Sequence, residues 1–316
     1  MKKRVIGNSG LEAAPLALGG NVFGWTADEA ASFRILDAFV DAGFNLVDTA
    51  DTYSRWVPGH MGGESEAVIG KWFQRSGKRD KVIIATKLGM DMGNGKKGLA
   101  RHYILREVED SLKRLQTDHI DLYQAHQDDT HTPLEESLEA FAQLVKEGKV
   151  RSVGASNYKA DRLEESFKVS EKKHIPRYEC LQPHYNLYDR EDFEKHLLPL
   201  CLEKKIGVIP YFSLASGFLT GKYRSEADFS KSPRGGGMKK YLNDRGFRIL
   251  KALDEVSADH HSTPAKAALG WLVSRPGITA PIASATNPEQ LKELLEGVQM
   301  ELDPAAIEKL NQASAY

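Results

Sequence analysis

The chain has 316 residues, 43 of them Lys or Arg and 44 Asp or Glu, and 41% are hydrophobic. So even a charge balance leaves no electrostatic footprint for DNA or RNA, and two cysteines, Cys180 and Cys201, cannot build a disulfide framework and suit a reducing compartment. No stretch reaches the roughly 18 apolar residues of a membrane span, and Gly7, Asn8, Ser9, Gly10 and Glu12 break any apolar run behind Lys2-Lys3-Arg4. A cytoplasmic globular protein without nucleic-acid or membrane partners is expected.

Residues 4–16 read as a β-hairpin turning at Asn8-Ser9-Gly10. Short apolar runs rich in β-branched residues then recur at 16–19, 45–48, 82–87, 121–124, 151–154, 179–182, 208–211 and 278–282. Continuous runs of this kind suit strands of a parallel sheet covered on both faces. Between them the spacing is helical. Ile104, Val108, Leu112 and Leu115 share one face, with Arg106, Glu109, Asp110 and Lys113 opposite. Leu134, Leu138, Phe141 and Leu144 follow Thr132 as N-cap and Pro133 as first helical residue. Gly43, Gly148 and Gly207 are expected at left-handed helix C-caps. Eight strands alternating with eight helices predict an α/β fold: a single (β/α)₈ TIM barrel spanning residues 1–316, its floor plugged by the hairpin. A long loop after strand seven carries Ser232-Pro233-Arg234-Gly235-Gly236-Gly237 on the face where barrel active sites lie.

Barrel chemistry comes from the C-terminal ends of strands. Strand two runs into Asp48-Thr49-Ala50-Asp51-Thr52-Tyr53, strand three ends at Lys87 and strand four at His126. A lysine closing an apolar strand needs a counter-charge, which Asp48 on the neighbouring strand supplies. A cation beside Tyr53 is expected to stabilise phenolate and lower the phenol's pKa, making it a general acid near neutral pH, while His126 holds a carbonyl oxygen in line. Taken singly, these residues fit a structural ion pair, a loop tyrosine and a hydrogen-bonded histidine. Together they form a device for protonating a carbonyl oxygen while something else attacks the carbon. No Gly-x-Gly-x-x-Gly follows a strand, so a Rossmann site is excluded. The segment 217–223 is one residue short of a P-loop but offers small residues and Lys222 to phosphate, and residues 284–290 read as a helix start with free N–H groups.

With these residues in view, the chain resembles the aldo-keto reductases along essentially its whole length, and within them the bacterial and potassium-channel β-subunit-like branch. The resemblance rests on Leu18-Gly19-Gly20, Asp48-Thr49-Ala50 through Tyr53, Ala85-Thr86-Lys87, Asp121-Leu122-Tyr123-Gln124 with His126, Gly154 through Tyr158, Gln182 with Tyr185-Asn186, Leu214-Ala215-Ser216-Gly217 to Lys222, and Pro288-Glu289-Gln290-Leu291. It implies an NAD(P)(H)-dependent oxidoreductase interconverting an aldehyde or ketone and the corresponding alcohol. Tyr53 would be the proton donor, Lys87 its partner, Asp48 the anchor of Lys87, and His126 the group orienting the carbonyl. Gly20 and Asp48 would face the cofactor, and Ser156, Asn157 and Gln182 would bond the carboxamide of a nicotinamide stacked on Tyr211. Ser213, Leu214, Ser216, Gly217 and Lys222 would line the pyrophosphate, Arg234 would sit in a loop folding over it, and Ser284, Thr286 and Gln290 would surround the adenosine ribose.

Three departures bear on this assignment. The loop 284–287 carries no cation for a 2′-phosphate and Leu294 replaces a frequent polar residue, so NADP(H) is favoured while NAD(H) stays open; Lys222, Arg224 or Arg234 are the alternative cations. The segment 54–63, with Phe23, Trp25 and Trp56, either walls the mouth for an apolar or ring-bearing substrate or is a lid that only excludes water. The third departure, residues 127–131, offers oxygen and imidazole groups beside His126, but Lys87 would repel a metal cation, so none is expected. The rival readings are a Schiff-base aldolase with Lys87 as nucleophile and a nucleotide-holding, redox-sensing subunit with slow turnover. Substrate, reaction direction and the choice between monomer and homo-oligomer stay open.

Overall fold

The computed structural model describes residues 1–232 and 235–316. Two short strands, β1 (Arg4–Val5) and β2 (Glu12–Ala13), pair antiparallel as the expected hairpin. Eight parallel strands follow: β3 (Ala17–Gly19), β4 (Leu46–Asp48), β5 (Ile83–Leu88), β6 (Ile120–Ala125), β7 (Val150–Ser156), β8 (Cys180–Gln182), β9 (Gly207–Val208) and β10 (Ile282–Ala283). From β4 to β9 each lies beside its predecessor in the sheet, and β10 pairs with β3. The ring closes where Thr279 N–H donates to Val208 C=O (2.8 Å) and Ile282 N–H to Pro210 C=O (2.9 Å).

The strand pattern explains the two apolar layers. Inward-facing Ala17, Leu46, Ile83, Ala85, Leu122, Cys180 and Ile209 form an inner cluster that takes in Ile6, Leu11 and Ala13 of the hairpin. The hairpin therefore fills the barrel floor. Outward-facing residues such as Val47, Ile84 and Tyr123 belong to the larger cluster under the helices. Cys180 and Cys201 are both buried and unbridged, and serve as core filler.

Those helices are α1 (Glu29–Asp41), α2 (Glu64–Ser76), α3 (Arg101–Leu115), α4 (Leu134–Lys146), α5 (Ala160–Lys173), α6 (Leu198–Lys204), α7 (Asp244–Asp259), α8 (Pro264–Ser274), α9 (Pro288–Gly297) and α10 (Pro304–Ala313). Ten α-helices among the described residues exceed the expected eight: α7 is added in the gap after strand seven and α10 follows the last βα unit. The same gap holds three stretches of 3₁₀ helix, Ala215–Thr220, Glu226–Lys231 and Gly235–Tyr241. Arg234, expected to cover the cofactor, lies outside the described residues.

Two local expectations are corrected. Pro133 is the N-cap of α4 rather than its first residue, and the Thr132 hydroxyl donates to Asp129 Oδ2 (2.7 Å) instead of capping. Gly207 lies in β9; the left-handed C-cap of α6 is Lys205 (φ 53°). Its lack of a side chain has a different cause: a Cβ there would stand 2.7 Å from Gly7 N and 2.9 Å from Ile6 Cα, so the hairpin can approach the barrel only at a glycine. Gly43 and Gly148 do take the left-handed conformation (φ 84° and 75°).

Candidate active site

Parallel pairing brings the strand ends into one mouth. Gly19 registers with Asp48 and Asp48 with Ala85, while Lys87 registers with Gln124, two residues before His126. Asp48 and Lys87 are fully buried. Lys87 Nζ donates to Asp48 Oδ2 (2.9 Å), to Thr49 C=O (2.7 Å) and to Tyr53 Oη (2.9 Å). All three ammonium protons are thereby used. Tyr53 O–H donates to Asp48 Oδ2 (3.2 Å), and Gln182 Nε2 donates to Asp48 Oδ1 (2.9 Å). One carboxylate thus holds an ammonium, a phenol and an amide, which is how an ion pair is tolerated without water.

The electrostatics correct one expectation. The phenol of Tyr53 is pushed well above its ordinary value by burial first and by the Asp48 carboxylate second. Burial also pulls Lys87 down, against the opposing pull of Asp48, Asp51 and Glu66. Lys87 does not produce a phenolate because its charge is already matched by Asp48 and because desolvation favours the neutral phenol. The structure therefore stores the proton on Tyr53. His126 is held well below the ordinary histidine range by burial and by Lys87, so its imidazole is neutral, and its Nδ1 has no hydrogen-bond partner among the described residues. Its ring lies 6.1 Å from that of Tyr53, centroid to centroid.

Tyr53 and His126 open into a cavity of about 930 Å³. Ser156, Asn157, Gln182, Tyr211, Ser213, Leu214, Ser216, Gly217, Lys222, Ser284, Thr286 and Gln290 all line it, as do Trp25 and Trp56. Among the described residues, the expected ones that do not line it are Gly20, Phe23, Asp48, Lys87 and the alternative cation Arg224, which is paired with Asp254 (2.7 Å). Asp48 and Lys87 sit directly behind Tyr53. Gly20 is buried with its carbonyl accepting from the Ser65 hydroxyl (2.7 Å). Phe23 is fully buried in the outer core and Val22 and Trp25 take the wall instead, because the turn between Phe23 and Ala27 directs the Phe23 ring inward.

The rest of the wall is built from loops. Asn157 (φ 58°) takes a left-handed conformation and donates to His126 C=O (2.9 Å), and its Oδ1 accepts from Tyr211 O–H (2.7 Å). After β9, Phe212, Ala215, Ser216 and Gly217 all have positive φ. Ser213 O–H anchors this segment to β10 through Ile282 C=O (2.8 Å). Asn287 caps α9 by accepting from Gln290 N–H, and Thr286 N–H donates to Gln290 Oε1 (both 2.9 Å). Trp25 meets Trp56 edge-on at 5.6 Å, and Trp56 meets Tyr53 at 6.1 Å.

Gln127, the first residue of the segment singled out after His126, lines the cavity, and several lining residues were not legible: Asn21, Met90, Phe212, Lys231 and Glu293. Asn21 Oδ1 accepts from Ser284 O–H (2.5 Å), and Glu293 Oε1 accepts from Thr263 O–H (2.6 Å). Both links join segments distant in the chain. A buried acidic group behind β5 was also missed: Glu66 accepts from Thr86 O–H (2.5 Å) and Arg114 Nε (2.6 Å), beside Asp51, whose carboxyl burial pushes well above the usual range.

The family-level sequence model described as "Aldo/keto reductase family" matches residues 15–315, a span that contains all eight barrel strands. The chain belongs to the aldo/keto reductase family. Its similarity to curated proteins runs nearly end to end. It is 35% identical to "Uncharacterized oxidoreductase YrpG" of Bacillus subtilis, covering 98% of this chain and 95% of that one. It is also 35% identical to "Aldo-keto reductase YhdN" of the same organism (94% and 88%), and 31% identical to "Putative voltage-gated potassium channel subunit beta" of Schizosaccharomyces pombe (98% and 92%). Membership places this aldo/keto reductase among oxidoreductases that in general use NAD(P)(H). No helix among its described residues is long and apolar enough to cross a membrane.

Proposed function

We propose that this aldo/keto reductase interconverts an aldehyde or ketone with its alcohol, using NADP(H) in preference to NAD(H) and Tyr53 as general acid and base. The observation that carries the reading is the buried Asp48–Lys87 pair bonded to a half-buried Tyr53, which opens on one cavity beside a neutral His126. The cavity fits a dinucleotide. Its wall after β9 is held in left-handed backbone by its own contacts, and α9 begins in the same wall. Lys231 is paired with Asp228 (2.7 Å), whereas Lys222 forms no ion pair among the described residues, leaving a cation for a phosphate.

In this reading Tyr53, Lys87, Asp48 and His126 serve the reaction, Tyr211 presents its face to the nicotinamide, Ser156, Asn157 and Gln182 its edge, and Lys222 a phosphate. Bound cofactor supplies the hydride. Tyr53 gives its proton to the carbonyl oxygen, and the Lys87 ammonium, held in place by Asp48, stabilises the phenolate left behind. His126 holds the oxygen against Tyr53. In the reverse direction the phenolate takes the alcohol proton. Trp56 and Phe212, 50% and 46% exposed at the mouth, together with Trp25 and Met90, favour an apolar or ring-bearing substrate. The Schiff-base reading is disfavoured because Lys87 Nζ is buried, fully hydrogen-bonded and absent from the cavity wall.

The test is fluorescence titration of wild type and Lys222→Met with NADPH and NADH. Wild type binds NADPH more tightly, and Lys222→Met loses roughly tenfold for NADPH; NADH falls less where Lys222 meets the 2′-phosphate and equally where it meets the shared pyrophosphate. A folded protein that binds neither nucleotide overturns the reading. A burst of one cofactor per chain followed by slow turnover would instead favour a redox-sensing subunit, the rival reading raised from the sequence; one relative is named as a channel β subunit.

A further inference from the structure

Tyr211 has two faces, and only one looks into the large cavity. On the other, the His184 imidazole lies parallel to it, 11° between planes and 5.3 Å between centroids. The arrangement is built into the sheet: His184 and Tyr211 are partners in a parallel bridge, and Tyr211 N–H donates to Pro183 C=O (2.9 Å). Phe212 closes the edge of both rings, at 5.5 Å from His184 and 5.2 Å from Tyr211.

Packing alone does not hold the imidazole. Its outer edge borders a second cavity of about 560 Å³ that His184 and Tyr211 both line. Its Nε2 stands 3.2 Å from Asp189 Oδ2, within reach of an ion pair with the protonated ring but off the line of a hydrogen bond. The same oxygen accepts from Tyr241 O–H and from Asn186 Nδ2, each at 3.1 Å. Asn186 Nδ2 also donates to Phe212 C=O (3.0 Å), in the residue that follows Tyr211. Tyr241 in turn stacks on Phe218, 5.0 Å apart and 18° between planes. Phe218 belongs to the 3₁₀ stretch assigned above to the phosphates, and Tyr241 to the last stretch of the long segment after strand seven.

We propose that His184 is a positioning residue for the nicotinamide: it backs Tyr211 from outside the cavity and, through Asp189 and Tyr241, ties the stacking ring to the segments that hold the phosphates. This rests on the cofactor reading given above. Nicotinamide, Tyr211 and His184 then form a three-layer stack, and a shift of the phosphate-side segments reaches the nicotinamide through Asp189.

The test compares wild type with His184→Ala, His184→Phe and Asp189→Asn in the full chain. It reads NADPH affinity, NADPH release by stopped-flow fluorescence, melting without nucleotide, and the deuterium isotope effect on reduction with cofactor labelled at the transferred hydrogen. His184→Ala is expected to release NADPH roughly three- to tenfold faster, the loss of one aromatic stack, with a larger isotope effect on kcat. His184→Phe keeps the stack and recovers the isotope effect. Asp189→Asn keeps the stack but weakens the tie, and so releases faster than wild type. A folded His184→Ala that matches wild type in release and isotope effect overturns the proposal, as does a folded His184→Phe that fails to recover. An Asp189→Asn variant with wild-type release overturns the tie. Failure of the wild type itself to bind nucleotide marks the cofactor reading as the part in error.

Discussion

Replacing Asp48 by Asn keeps the volume and removes the charge. In the native protein Asp48 and Lys87 are both fully buried, 2.9 Å apart, and no other carboxylate touches the ammonium. Breaking such a pair by removing one partner costs about 3–5 kcal/mol, because the remaining charge is stranded without water. For a chain of this size each kcal/mol lowers the melting temperature by roughly 2 °C, so Asp48→Asn is expected to melt about 6–10 °C below wild type. Lys87→Met in the same background removes the stranded charge and fills its place with an apolar chain. The double variant is therefore expected to be more stable than Asp48→Asn alone, with a coupling of about 2 kcal/mol or more in a double-mutant cycle. Denaturant unfolding of the four proteins measures it. If Asp48→Asn unfolds within about 1 kcal/mol of wild type and the two changes add, the two residues are not a charged pair and the account of the site fails.

Tyr53→Phe removes the hydroxyl proposed as proton donor but not the ring that meets Trp56 and His126. Reduction should fall roughly 10²- to 10⁴-fold with NADPH affinity unchanged, as read by single-turnover kinetics beside a binding titration; wild-type reduction would remove Tyr53 from its role. The pH dependence follows from the directions of the shifts. Tyr53 is raised, so its proton is present throughout the range below the ordinary phenol value and is lost only as pH climbs through the higher folded value. His126 is lowered, so it stays neutral until the medium is more acid than an ordinary histidine requires. Reductive kcat should therefore be flat from mildly acid to mildly alkaline pH, while alcohol oxidation rises with alkalinity. A reductive limb falling between about pH 7 and 9, on the acid side of an ordinary phenol, would contradict the stored proton.

The barrel was legible because its strands carry their own signal. Runs such as Ile83–Leu88 and Ile120–Ala125 are rich in apolar residues and buried on both faces, and that pattern has few other uses. What failed were inferences that needed a direction or a distance. Phe23 and Trp25 are two residues apart in one loop, and only the turn decides that one ring enters the core and the other faces the cavity. Gly207 looked like a helix cap because it follows a helix, yet its constraint comes from a hairpin some two hundred residues earlier in the chain. Asp48, Tyr53, Lys87 and His126 could be found because strand ends converge by topology. Whether Lys87 lowers the Tyr53 phenol or merely neutralises Asp48 depended on burial, which spacing does not encode. Lys231 went unseen because a long connection brings it to the wall, and Glu293 because the turn of α9 that carries Gln290 into the wall carries it there too.

The left-handed backbone at Phe212, Ala215 and Ser216 has a consequence for how tightly anything can be held. A non-glycine residue in that conformation lies roughly 1–2 kcal/mol above its preferred state. Here that cost is met when the barrel folds, through Ser213 and the strands beneath, and not when a ligand arrives. A guest consequently finds the wall already shaped and loses little affinity to ordering it. The reverse also holds: any loosening of β9 and β10 should shorten a ligand's residence well before the barrel itself begins to unfold.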